Sequence, residues 1–140
     1  MNPVVIDASV ALAWCFPDEA SDYADRVLVA VEGRVIRVPA LWATEVSNAL
    51  LVAERRRRIK AAETQRFLSL LDGLTITVDS LSLSENFANL LPLGRAHGLS
   101  AYDAAYLDVA LRHAAPLASL DGHLCGAAVK SGIEVFAGER

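Results

Sequence analysis

Cysteine is scarce, and so is any pattern of histidine that suits a soft metal. Cys15 and Cys125 lie far apart and match no metal-ligand spacing, so both are expected as reduced, structural thiols. His97, His113 and His123 show no pairing that points to zinc. Long apolar runs are also missing: none approaches the ~20 residues needed to span a bilayer. The N-terminus has no basic stretch leading into an apolar one, so no secretory signal is read. These absences predict a cytoplasmic protein with no membrane partner. Positive charge is not in excess, with 13 Lys and Arg against 17 Asp and Glu and a net charge of −4. Bulk charge therefore does not advertise nucleic-acid binding. Repeats, low-complexity segments and linkers are lacking too, which predicts one domain over residues 1–140.

What is present is a large apolar fraction, 54%, with a mean hydropathy of +0.34. Both suit a small α/β fold with a buried sheet. Val4-Val5-Ile6 is a run of β-branched residues without polar alternation, the pattern of a strand buried on both faces. Further strands are predicted at Val35–Val38, Leu74–Val78, Leu117–Leu120 and Ile133–Phe136. Helices are predicted between them: Val10–Phe16, one beginning at Asp18, Leu41–Arg57, Ala61–Leu71, one ending near Arg95, Ala101–His113 and a short one after Asp121. Alternation of this kind predicts a five-stranded parallel sheet sandwiched between helices.

That topology gathers the acids. Crossover helices run antiparallel to their strands, so a helix N-terminus lies at the same sheet edge as the strand C-termini. Asp7 ends the first strand. Glu45 is in the first turns of the helix after the second. Asp103 opens the helix before the fourth strand, and Asp121 follows that strand. All four belong at the edge where open α/β sheets bind ligands. Carboxylates crowded there repel one another, and bound hard cations relieve the repulsion. Oxygen ligands suit Mg²⁺, with Mn²⁺ as a substitute. Such ions support phosphodiester hydrolysis.

Several neighbours accompany the acids. Ser9 and Ser119 sit two residues from Asp7 and Asp121, where a hydroxyl orients a water or a phosphate, or simply caps a helix or ends a strand. Asn48 lies one helical turn beyond Glu45 as a supporting hydrogen bonder. At ~100° per residue Asp108 lies about 140° round the helix from Asp103, so it cannot share the pocket. Asp79-Ser80 or Ser82 caps the helix after the third strand, with Asp79 the simplest reading, and His123 reads as a surface residue. Asp7 itself also suits the N-cap of the next helix. Arg55-Arg56-Arg57-Arg58 form a basic run that either meets phosphates of a partner or decorates a helix end. Leu50-Leu51-Val52 and Phe67 to Leu71 are candidates for intermolecular contact.

Four segments, VVIDASVALAWCFPDE, PALWATEVSNALL, LSAYDAAYLDVAL and ASLDGHL, occur in this order. Together they resemble the PIN-domain ribonucleases, and more narrowly the VapC toxins of bacterial toxin–antitoxin pairs. The resemblance covers essentially the whole chain. It implies a five-stranded parallel sheet and metal-dependent endoribonuclease activity. It implies that Asp7, Glu45, Asp103 and Asp121 are the catalytic, metal-holding acids, with Ser9 and Ser119 at the family's polar positions. It further implies an RNA substrate, a VapB-type antitoxin that covers the acidic pocket, and a homodimer. The competing reading is a phospho-acceptor receiver-like regulatory domain with an Mg-binding acidic pocket and Asp79 as acceptor. That site leaves Glu45 and Asp103 without a role.

Overall fold

The computed structural model describes residues 2–138. Val4–Ile6 forms β1, and all three side chains are fully buried. Burial of each such side chain contributes about 1.5–3 kcal/mol. Helix α1 (Ala8–Cys15) starts directly after Asp7. Next comes a departure from expectation. Instead of a helix from Asp18, Pro17–Glu19 form a single 3-10 turn, and α2 (Asp22–Ala30) begins after Ser21. The Ser21 hydroxyl accepts from the Ala24 amide at 2.9 Å. That bond satisfies an otherwise orphaned N–H at the helix start.

The chain continues through β2 (Val35–Pro39), α3 (Leu41–Arg55), α4 (Ala61–Asp72), β3 (Thr75–Asp79) and α5 (Leu83–His97). It ends with α6 (Ala101–His113), β4 (Leu117–Ala118) and α7 (Gly122–Lys130). Ser82 caps α5 through a capping box with Glu85. Asp79 is therefore not a cap. It ends β3 and accepts hydrogen bonds from Arg112 and His113.

All strand pairs are parallel, in the order β3-β2-β1-β4. The chain steps outward from β1 to β3, then returns to the other side of β1 with β4. Right-handed crossovers place α1 to α4 on one face and α5 and α6 on the other. Reversal of direction between β1 and β4 makes a topological switch point beside their C-terminal ends, where such sheets open a crevice.

The expected fifth strand is not formed. Among the described residues the sheet has four strands, and residues 133–136 contribute one parallel bridge, Leu117 to Val135. Two hydrogen bonds hold it: Leu117 N–H to the Glu134 carbonyl at 3.0 Å, and Phe136 N–H to the Leu117 carbonyl at 2.8 Å. The reason lies in β4. After Ala118 the chain leaves the sheet, and the Leu120 amide reaches Ser9 Oγ at 3.1 Å. No longer ladder is available for a fifth strand to pair with.

Candidate active site

Asp7 stands at the switch point and is only 5% exposed. Its backbone N–H still pairs with the Ala118 carbonyl at 3.1 Å, so the sheet itself fixes its position. Its carboxylate caps α1 through the Val10 amide at 3.2 Å and accepts from Ser9 Oγ at 2.6 Å. Ser119 Oγ donates to the other carboxylate oxygen. The same Ser119 Oγ accepts from the Asp121 amide at 2.9 Å, which ties the end of β4 to the end of β1. Helix capping and a place in the acidic site are thus not alternatives for Asp7, since one carboxylate does both. Burial pushes its carboxyl above the ordinary range, against the pull of Ser119, Ser9 and the Val10 amide, and the charge of Asp121 adds to the push.

Glu45 lies in the second turn of α3 and is half-buried. The Tyr106 hydroxyl of α6 donates to Glu45 Oε1. Burial raises the Glu45 carboxyl, Tyr106 lowers it, and the charges of Asp103 and Asp7 raise it again. Tyr106 is only 2% exposed, and burial together with Glu45 holds its phenol strongly protonated. Asp103 sits in the first turn of α6, whose N-cap is Ser100. Burial raises its carboxyl first, then the charges of Asp121 and Asp7, while His123 offsets part of the effect. Asp121 is exposed and caps α7 by accepting from the His123 amide at 2.9 Å.

The four carboxylates therefore form one electrostatic cluster with Asp7 at its centre. The charge of Asp7 acts on Glu45 and Asp103, and Asp121 acts on Asp7. Among the described residues no Lys or Arg makes an ion pair with any of the four. Nor do any three His, Cys, Asp or Glu side chains among the described residues close into a ready-made metal cage. Asp7 and Glu45 each hold protein hydroxyls. The donor set still fits a hard divalent cation: it is all oxygen, it is anionic, and each carboxylate keeps lone pairs beyond those its hydrogen bonds use.

A family model, the PIN domain, matches residues 4–130. The chain belongs to the PIN-domain family. Within it the chain is of the VapC type. It is 30% identical over 121 residues to Ribonuclease VapC3 of Pyrobaculum aerophilum, a span of 86% of this chain and 91% of that protein. The fold also resembles the crystal structure of PAE2754 from Pyrobaculum aerophilum, with a TM-score of 0.67 at 24% identity. That match covers 90% of this chain and 79% of the other.

Other expectations for this PIN domain divide. Ser9 and Ser119 both bond to Asp7. Asn48 is exposed and, among the described residues, donates nothing to Glu45. Tyr106 holds Glu45 instead. Sequence reasoning missed it because a tyrosine on a core-facing helix reads as packing. The available signal was the hydroxyl, since a buried phenol seeks a partner. Asp108 lies away from the four acids, buried against Arg112. The receiver-like alternative fails on topology: Asp79 ends the outer strand β3, two strands from Asp7, and is engaged by Arg112 and His113. The arginine run divides as well. Arg58 pairs with Asp18 at 2.8 Å and Glu19 at 3.0 Å and stacks over Phe16 at 4.4 Å.

Of the apolar contact candidates, Leu50 and Phe67 belong to the core, whereas Leu51, Leu68 and Leu70 are exposed. A more exposed stripe, Leu83, Phe87 and Leu91, runs along α5 at helical spacing. Among the described residues no helix is long and apolar enough to cross a membrane.

Proposed function

We propose that residues 1–140 act as a single PIN domain, a metal-dependent endoribonuclease of the VapC type. The observation that carries this reading is Asp7, buried at the switch point and electrostatically coupled to Glu45, Asp103 and Asp121. The ribonuclease name of the Pyrobaculum relative supports the same reading.

In this proposal Asp7, Glu45 and Asp103 hold Mg²⁺, or Mn²⁺ in its place, and Asp121 completes the site. When bound, such ions supply activation of water and neutralisation of charge at phosphorus. The protein's own residues prepare the ground. Ser9 and Ser119 keep the Asp7 carboxylate in one orientation. Tyr106 does the same for Glu45 and, being strongly protonated, remains a donor throughout. Water is the nucleophile, so the RNA 2′-hydroxyl is not consumed.

The proposal includes a VapB-type antitoxin laid across the acidic pocket, a homodimer and action in the cytoplasm. The α5 stripe of Leu83, Phe87 and Leu91 offers a face for self-association. One experiment tests the core of the reading. The wild type and Asp7→Asn are expressed and RNA 5′ ends are mapped, in cells and with purified protein in Mg²⁺ or EDTA. New ends are expected only for the wild type and only with the cation. Identical ends for both proteins would sink the proposal.

A further inference from the structure

Beside Glu45 lies a second, uncharged feature. A shallow cavity of about 250 Å³ is lined by Leu41, Thr44, Glu45, Asn48 and Tyr102. Tyr102 is 63% exposed, although it lies on α6 one residue before Asp103. Positions 102 and 106 are one helical turn apart and share a face. Tyr106 uses that face to reach Glu45, so Tyr102 flanks the same carboxylate from the solvent side. Thr44 and Asn48 are likewise one turn apart on α3, and both are exposed.

A polyanion has little electrostatic reason to settle here. The acids are uncompensated by Lys or Arg among the described residues, and the chain carries a net charge of −4. Beyond the cation that the acids are proposed to hold, further contact with RNA at this spot falls to uncharged groups. An exposed aromatic ring offers stacking to an unpaired base and tolerates any of the four. An amide and a hydroxyl together provide both donors and acceptors for a base edge. Leu41 provides an apolar wall.

We infer that this cavity receives one unpaired nucleobase of the RNA, next to the acidic site where the phosphodiester is cut, with Tyr102 stacking on the base and Thr44 and Asn48 addressing its edge. The inference rests on the ribonuclease reading and adds to it a subsite for a splayed base, built by Tyr102, Thr44 and Asn48.

Binding is measured without turnover in the Asp7→Asn background, by anisotropy of a labelled single-stranded RNA of mixed sequence. Adding Tyr102→Ala is expected to raise Kd about fivefold or more, the consequence of losing one base–aromatic stack. Tyr102→Phe or Tyr102→Trp keeps Kd within about twofold, because the ring remains. The slope of log Kd against log salt stays unchanged, since the lost contact carries no charge. An abasic site at the stacked nucleotide weakens binding to the parent protein and has no further effect on Tyr102→Ala. Equal affinity of parent and Tyr102→Ala overturns the inference. So does a Tyr102→Ala protein that loses only self-association in sedimentation, which would make the cavity a protein interface. If wild-type protein cleaves no RNA while these affinities behave as stated, the nuclease reading fails and the base pocket stands. If the wild type cleaves and Tyr102→Ala has the same KM, the pocket fails and the nuclease reading stands.

Discussion

The Tyr106 hydroxyl donates to Glu45 and joins α6 to α3 across a sequence separation of 61 residues. Through it a buried phenol of the core steers a carboxylate of the acidic site. Tyr106→Phe keeps the ring and removes only the donor. Loss of a group that orients a metal ligand costs about 10- to 100-fold in metal affinity or activity. The expected outcome is a rise of that order in the Mn²⁺ concentration for half-maximal cleavage, matched by weaker Mn²⁺ binding in a calorimetric titration without RNA. A lower Tm with unchanged Mn²⁺ binding would assign Tyr106 a packing role alone.

Asp7→Asn is expected to stabilise the metal-free protein while abolishing cleavage. Burial raises the folded-state pKa of Asp7 above its ordinary 3.8. Stability from such a group is fully present below the ordinary value and lost as pH rises through the folded one. At pH 7 the wild type therefore carries the whole penalty of a buried, ionised carboxylate. Asparagine caps a helix as well as aspartate does, so α1 keeps its start. The Tm of Asp7→Asn should exceed that of wild type at pH 7 in EDTA, and the gap should close toward pH 4. Added Mg²⁺ should raise the wild-type Tm and leave the variant's nearly unmoved.

Arg112 ties the end of β3 to α6 by donating to Asp79 and, at 2.8 Å, to Asp108. Asp108 is 4% exposed, so Arg112→Leu leaves a buried carboxylate without its partner. Breaking a fully buried pair costs about 3–5 kcal/mol. The Arg112 side chain is 29% exposed, and solvent screening lowers the expected loss to about 2 kcal/mol, read from urea unfolding. The wild type should also lose stability in acid. Burial pushes Asp79 up, but hydrogen bonds from Arg112 and His113 outweigh it and hold its carboxyl below the ordinary 3.8. That contribution is present above 3.8 and lost as pH falls through the folded value. Arg112→Leu should show a flatter acid limb.

Arg58→Ala tests the basic run. Its guanidinium is engaged by Asp18, Glu19 and the Phe16 ring. At ~1.5 Å of rise per residue, the end of α3 at Arg55 lies about 15 Å along the helix from Glu45. The KM for RNA and its salt dependence should be unchanged. The Tm should fall, more at low salt than at high, because the lost contacts are exposed ion pairs. A large rise in KM would show instead that the run meets substrate.

Much of this was determined by the sequence alone. Three β-branched residues before Asp7 specify a doubly buried strand, and they form β1 between β2 and β4. Ser82 with Glu85, and Ser100 ahead of Asp103, specify helix starts by chemistry that acts within one turn. Strand–helix alternation sends Asp7, Glu45, Asp103 and Asp121 to one sheet edge, because a helix that returns the chain must begin where the strand ends. Local pattern also misled where two local signals competed: Asp18 looks like the start of a helix that Ser21 opens instead, and Asp79 competes with Ser82 for a cap that Ser82 holds.

The tertiary structure decided what depends on distance across the fold. Strand length is one case: residues 133–136 have strand-like composition, but β4 leaves the sheet to bond with Ser9, so only the bridge to Leu117 forms. Arg58 is another, since its carboxylates come from a turn 40 residues earlier. The partnership of Tyr106 with Glu45 is the third. Helical periodicity assigns Tyr106 to the core and Glu45 to the sheet edge, and no rule of spacing says that they touch. Only the fold, which brings the N-terminal parts of α3 and α6 to one sheet edge from opposite faces, puts the phenol within reach, and the low dielectric there leaves its hydroxyl no better acceptor than the carboxylate it holds.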